Sequence, residues 1–210
     1  MTNTSVSLLS RARDETESDS WRRLASIYTP LLQQWMCRYE LQASDADDLV
    51  QEVLVTVARE LPDFEHSGRT GAFRKWLKTI LVHRLQNFWR SRKYRPTVKG
   101  GSSLLDQLKE LQDDASSASR IWNSEHDRHV LGRLLQQIRK QFEENTWEAF
   151  RRQMLGGESP SDVADSLGMA VHSVYVAKSR VLHALRQESA GLVDSFHIAG
   201  DGSDRTPQTS

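Results

Sequence analysis

The chain has 210 residues, in which 28 lysines and arginines balance 28 aspartates and glutamates, and this length allows one or two domains. Glycine and proline are few, at 11 and 5 residues, and no stretch alternates strictly, which argues against a β-sandwich or barrel and favours an all-α fold. A lone cysteine, Cys37, excludes an internal disulfide and a cysteine-based zinc site. No apolar run suits a signal peptide or a membrane span, so we expect a cytoplasmic protein.

The first helix is predicted after a polar segment, residues 1–19, that we expect to be disordered. Apolar residues recur at helical spacing from Leu24 to Met36. Pro30 interrupts this pattern and predicts either a kink or a second helix that begins there.

The next helix is predicted to begin at Ser44, whose hydroxyl can cap it, and to end at Leu61-Pro62. Aspartates in its first turn complement the helix dipole, and that role alone is one interpretation. The polar face continues beyond the first turn, however, which also suits a surface that binds another protein. The polar residues concerned are Asp45, Asp47, Asp48, Gln51 and Glu52.

The sign of the charge then inverts. Between Arg69 and Lys99 the chain carries ten lysines and arginines and no carboxylate. Aromatic residues stand among them, a combination that suits a polyanion whose bases can stack on rings. The other interpretation is core packing, because Phe73, Trp76 and Phe88 lie on one apolar helix face, whereas Trp89 and Tyr94 lie off it.

Beyond Pro96 the composition is that of a linker over residues 97–127, with Gly100-Gly101-Ser102-Ser103, acidic residues and a short helix around Leu104–Leu111. We therefore predict two small helical domains joined by a flexible linker. The first, residues 20–96, would be a bundle of three or four helices, and the second would cover residues 128–188. Residues 189–210 are predicted to be disordered.

Residues 160–182 are a candidate helix-turn-helix motif. Ser159 and Pro160 form a strong helix start, and Gly168 falls where the turn belongs. The following helix has no acid before Gln187, as expected of a helix in a phosphate-lined groove, although an ordinary helical hairpin is the alternative. Its predicted outer residues are His172, Ser173, Tyr175, Lys178, Ser179 and Arg180.

Three features together resemble bacterial sigma factors: the string Asp45-Ala46-Asp47-Asp48-Leu49-Val50-Gln51-Glu52-Val53, the basic helix Phe73-Arg74-Lys75-Trp76-Leu77, and the terminal helix-turn-helix. The chain is most similar to the extracytoplasmic-function type of the sigma-70 family, which keeps only conserved regions 2 and 4. Ser173-Val174-Tyr175 departs from the family's frequent Thr-Val-Lys, which bears on the promoter that is read.

The resemblance implies partners and roles for these residues. Core RNA polymerase would bind Asp45, Asp48, Leu49, Gln51 and Glu52. The minus-ten promoter element would contact Arg69, Arg74, Lys75, Trp76, Lys78, Asn87, Arg90 and Arg92. The minus-thirty-five element would contact the outer residues of the last helix named above. An anti-sigma factor is a further candidate partner, and no cofactor, metal or enzymatic activity is implied.

Two other functions were considered, a conventional DNA-binding regulator and a DNA-processing nuclease. A conventional helix-turn-helix regulator would bind DNA without polymerase, but it leaves the acidic helix unexplained. A DNA-processing nuclease would need a cluster of carboxylates or histidines, and the pattern shows none: His66 and His83 lack ligand spacing.

Overall fold

The computed structural model describes residues 7–14, 19–39, 41–65, 71–92 and 101–193, with the side chains of 92 and 101–103 left out. Over these residues the fold is all-α, as predicted. The α-helices are α1 (Leu8–Asp14), α2 (Asp19–Met36), α3 (Ala43–Glu60), α4 (Ala72–Arg92), α5 (Gly101–Gln112), α6 (Ser117–Ile138), α7 (Glu144–Met154), α8 (Pro160–Leu167) and α9 (Val171–Ser189). Short 3-10 turns follow α2 at Cys37–Tyr39 and α6 at Arg139–Gln141.

Helix α2 continues through Pro30 as one helix. A proline inside a helix removes the hydrogen bond to the carbonyl four residues earlier, which here is that of Ser26. The guanidinium of Arg133, on α6, donates to this carbonyl at 3.2 Å. His129 Nε2, one turn earlier on α6, donates to the carbonyl of Ile27 at 2.7 Å. Helix α6 therefore supplies donors at the point where α2 lacks one of its own.

Helix α3 begins one residue earlier than predicted. It starts at Ala43, and Gln42 occupies the N-cap position without a side-chain cap bond. Ser44 consequently lies inside the first turn, and its predicted capping role is wrong. The predicted end is confirmed, since α3 stops at Glu60 and the backbone N–H of Leu61 donates to the carbonyl of Val57 at 2.8 Å.

The predicted linker is largely helical. Helix α5 buries three leucines spaced by four and three residues, Leu104, Leu108 and Leu111. Helix α6 begins at Ser117, where Ser116 Oγ accepts from the backbone N–H of Ser119 at 2.9 Å. Trp122 of α6 is fully buried. The prediction of a flexible tether is therefore wrong for residues 101–127, because a stripe of leucines and a buried tryptophan dock the segment on the helices before it.

Parts of both predicted disordered ends are ordered. Helix α1 buries Leu8, Leu9 and Ala12, and it packs on α2 and α9. After α9, Leu192 is buried. The prediction of disorder is therefore wrong for residues 7–14 and 189–193, because both segments contribute apolar side chains to the core. The calls on residues 1–6, 15–18 and 194–210 lie outside the described residues.

One hydrophobic core takes buried side chains from all the described α-helices except α8, so α6 and α9 share a core with the helices of the predicted first domain. Val130, Leu134 and Ile138 of α6 belong to the same buried cluster as the cores of α2, α3 and α4. A second, smaller cluster lies within α7–α9 and comprises Ala149, Val163, Ala164, Val174 and Ala177. The helix-turn-helix thus has its own small core and also packs on the main one through α9.

Candidate protein and nucleic-acid interfaces

Helix α3 presents an exposed polar surface, called here the acidic face: Asp47, Asp48, Gln51, Glu52 and Val55. Asp47 accepts from Gln33 Nε2 at 3.0 Å, and Glu52 lies 3.7 Å from the guanidinium of Arg84 on α4. Three of the five predicted polymerase-binding residues, Asp48, Gln51 and Glu52, therefore share one open face. The face is available for a partner protein.

Two other predicted members of this set are placed differently. Asp45 is half-buried, and Leu49 is only 3% exposed because it points into the core between α3 and its neighbours. Leu49 therefore packs in the core of the free chain, and its contact with a partner stays a prediction. Sequence reasoning missed Val55, which is 65% exposed beside Asp48 and Glu52. Its spacing of seven and three residues from these two acids was the available signal.

Three basic residues of α4, Arg74, Lys75 and Lys78, are paired with carboxylates in this conformation. Both Oδ atoms of Asp127, on α6, lie 2.6 Å from Arg74 Nη1. The ammonium group of Lys78 lies 3.0 Å from Asp114 and 2.5 Å from the hydroxyl of Ser119. Lys75 also donates to Asp114. Carboxylates from the predicted linker thus neutralise three residues that sequence reasoning assigned to DNA.

The basic residues of α4 also differ in how much of each side chain is exposed to solvent. The side chain of Lys78 is 4% exposed and that of Arg74 is 10% exposed, whereas that of Lys75 remains 66% exposed. Arg74 and Lys78 are therefore covered while α5 and α6 stay docked, and their role in DNA binding stays a prediction. Asn87 and Arg90, farther along α4, are exposed. Arg69 and the side chain of Arg92 lie outside the described residues.

The two carboxylates are held in their charged form. Hydrogen bonding from Lys75 is the main cause that lowers the pKa of Asp114. Burial raises the pKa of Asp127, but hydrogen bonds from His126 and Arg74 outweigh it, and the pKa lies below the ordinary value. A carboxyl whose pKa is lower in the folded chain stabilises it above the unfolded pKa, near 3.8, and the contribution is lost as the pH falls through the folded value. Both contacts therefore persist at neutral pH.

A buried hydrogen-bond network fixes Arg74. Its partner Asp127 also accepts from His126 Nδ1 at 2.9 Å, and His126 Nε2 lies 3.0 Å from the hydroxyl of Tyr28. Burial raises the pKa of Tyr28 well above its ordinary value, so the hydroxyl stays protonated and can donate to His126. Sequence reasoning missed this network because its members come from α2, α4 and α6, and no local pattern joins them.

The aromatic residues of α4 are mainly structural. Phe73 is fully buried. The Trp76 ring lies 5.5 Å from Phe73 and 4.7 Å from Phe64. Trp76, Phe88 and Trp89 are half-buried. Core packing therefore accounts for most of this surface, and Trp76 keeps part of its ring accessible. The expectation for Tyr94 lies outside the described residues.

Two helices, α8 and α9, occupy the candidate helix-turn-helix segment, with Gly168 between them. Ser159 Oγ accepts from the backbone N–H of Asp162 at 3.2 Å, and Pro160 stands at the first helical position. Gly168 ends α8 with φ at +63°, a left-handed conformation that a residue with a Cβ rarely adopts. Val163 and Ala164 of α8 pack against Val174 of α9. This contact fixes the angle between the two helices.

The outer face of α9 is open. His172, Ser173, Tyr175, Ser179 and Arg180 are exposed and Lys178 is half-exposed, with Tyr175 at 53%. Within the described part of the chain, Lys178 and Arg180 form no ion pair with a carboxylate. In contrast to Arg74 and Lys78 on α4, these cations are free to meet phosphate.

The described residues were also searched for metal sites and membrane-spanning helices. No cluster of three or more histidine, cysteine, aspartate or glutamate side chains there is placed to hold a metal ion. Nor does any helix among those residues have the length and apolar character needed to cross a membrane.

The segment that contains α2, α3 and α4 is similar to a known protein family. Residues 24–95 match the model of Sigma-70 region 2, which is about a third of the chain. The matched segment runs from α2 through α3 and α4 and stops before α5. No curated protein matches the chain. The likeness is therefore to region 2 alone and includes no residue of α5–α9.

Proposed function

We propose that this protein is a sigma factor of the extracytoplasmic-function type, which binds core RNA polymerase and directs it to promoters. The match of residues 24–95 to Sigma-70 region 2 carries the proposal. The acidic face of α3 is the polymerase-binding surface, α4 acts at the minus-ten element and α9 reads the minus-thirty-five element. The exposed, acid-free face of α9 and the open acids of α3 support this division of roles.

Such a role needs binding energy and no catalytic group. Separating one base-pair step costs about 1.4 kcal/mol, and stacking a flipped base on an aromatic ring returns about 1–3 kcal/mol. Capture of one or two bases, for example on the accessible part of Trp76, can offset the start of strand separation. Polymerase must supply the remainder, so an adaptor between enzyme and DNA is sufficient.

Run-off transcription tests the proposal. Purified protein with core RNA polymerase is expected to produce discrete transcripts from a library of genomic fragments, and core enzyme alone is not. Mapped start sites should share a motif at the minus-ten and minus-thirty-five positions. If core enzyme gives the same products with and without the protein, or if the protein binds DNA as a dimer and ignores polymerase, the sigma proposal is wrong and a conventional regulator is favoured.

Replacing Lys178 and Arg180 by alanine is expected to weaken binding to a mapped promoter by roughly 10- to 100-fold, since one base contact and one phosphate contact are removed. Footprinting of the polymerase complex should show lost protection upstream and retained protection near the start site. The matched control is Lys140→Ala with Arg128→Ala, which removes the same charge from exposed positions outside α9. Equal upstream footprints for both variants and wild type would contradict the assignment of α9.

A further inference from the structure

Carboxylates of the α5–α6 region lie where DNA phosphates would bind α4. We propose that α5 and α6, residues Gly101–Ile138, form an autoinhibitory cover that blocks Arg74 and Lys78 of α4 in the free protein and leaves them when promoter DNA binds. The inference rests on the proposed function, because it concerns the surface assigned to the minus-ten element. It adds a regulatory contact that lies within the chain itself.

The chemistry of the contacts supports a competition with DNA. Arginine binds carboxylate and phosphate through the same N–H donors. Nη1 of Arg74 donates to both carboxylate oxygens of Asp127. Asp114 takes hydrogen bonds from both Lys75 and Lys78. A phosphate group could not approach Arg74 or Lys78 without displacing these carboxylates.

The dimensions of a promoter require the packing of α6 to change when both elements are bound. Elements named minus ten and minus thirty-five lie about 25 base pairs apart, or about 85 Å along B-DNA at about 3.4 Å per pair. A compact chain of 210 residues has a radius of gyration of about 17 Å, and therefore a diameter of about 43 Å. With α6 packed on both α2 and α9, α4 and α9 cannot reach both elements, so α6 must leave α2 or α9. Competition between phosphates and the carboxylates on α4 favours loss of the contacts on the α2–α4 side.

Two unpaired polar groups offset part of the stability of the docking contact. Trp122 of α6 meets Trp35 of α2 edge to face, with ring centres 5.0 Å apart. Both indole N–H groups are buried without a hydrogen-bond partner, and an unsatisfied buried donor offsets part of what apolar burial contributes. Undocking returns both donors to water. The cover is thus held by apolar surface and ion pairs, and its two buried donors favour release.

Neutralising one carboxylate tests the cover directly. Asp114→Asn should raise affinity for a fluorescein-labelled, random-sequence single-stranded oligonucleotide by about threefold to fivefold, the worth of an exposed ion pair. The matched control is Asp113→Asn, which makes the same charge change one residue away, where Asp113 bonds only locally to the N–H of Ala115 at 3.0 Å. Fluorescence anisotropy at low salt gives both affinities. Equal affinities for the two variants would overturn the inference.

A covalent lock is the second test. Gln86 of α4 and Gln112 of α5 lie 3.4 Å apart, so cysteines at both positions, with Cys37→Ser, can be joined by a short bis-maleimide. The locked protein is expected to lose at least tenfold in run-off transcription relative to the same variant left unlinked. Full activity of the locked protein would overturn the cover. Failure of both locked and unlinked protein to bind core polymerase would count against the proposed function, while the anisotropy test would still decide the cover.

Discussion

Reversing the charge of the acidic face, with Asp48→Arg and Gln51→Arg, is expected to weaken binding to core RNA polymerase by about 100-fold or more, because like charges facing each other across an interface cost several kcal/mol. Both side chains are exposed and form no contact with the core, so the free energy of unfolding should change by less than about 0.5 kcal/mol. Surface plasmon resonance with immobilised core enzyme measures the affinity. Thermal unfolding, followed by circular dichroism, measures the stability.

The chain provides a matched control in α5. Asp106→Arg with Gln107→Arg makes the same two substitutions at exposed positions, and Asp106 contacts only Lys109, one turn along the same helix, at 3.0 Å. This variant should bind core polymerase within about twofold of wild type, as expected of a surface change away from an interface. Binding of the α3 variant at wild-type strength would show that the acidic face is not the polymerase surface.

Truncation of Trp122 to alanine is expected to lower the free energy of unfolding by about 3–5 kcal/mol, the usual cost of emptying the site of a large buried aromatic residue. Trp122 is fully buried and packs edge to face on Trp35, with its ring also 6.2 Å from that of His126. Because it belongs to the segment whose composition resembles a linker, the measurement decides whether that segment is part of the core. Urea unfolding followed by tryptophan-independent far-UV circular dichroism provides the value.

Ile121 is the adjacent control, since its side chain is 48% exposed. Ile121→Ala should change the free energy of unfolding by no more than about 0.5 kcal/mol. If Trp122→Ala costs as little as Ile121→Ala, residues 101–127 act as a tether and α6 does not dock as described.

Features encoded by neighbouring residues were predicted well. The start and end of α8 were predicted because Ser159, Pro160 and Gly168 each impose a local backbone conformation that packing does not need to supply. The exposed acids of α3 were recognised for a similar reason, since their spacing puts Asp48 and Glu52 on one face whatever surrounds the helix. Leu49, between them, shows the limit of the same reasoning, because adjacency in a motif does not place a side chain on the surface.

The sequence analysis missed structural features that depend on contacts between residues far apart in the chain. Glycines and serines around residues 100–119 suggested a flexible tether. The segment is instead docked, because the leucines of α5 pack towards α4 and Trp122 of α6 packs towards α2. The first residues were predicted to be disordered for a like reason. The guanidinium of Arg11 in α1 lies 2.8 Å from the carboxylate of Glu188 in α9, 177 residues later in the chain. No local sequence pattern predicts such an ion pair.

By itself, the sequence determined the helical class, the helix pair α8–α9, the acidic surface and the partition of charge between α3 and α4. Each of these follows from residue types at short spacing, which act through backbone preference and helix periodicity. Only the tertiary structure decided whether the cations of α4 are open. Arg74 and Lys78 meet carboxylates 53 and 36 positions away, and whether charges so far apart in the chain meet depends on how α6 packs across α2.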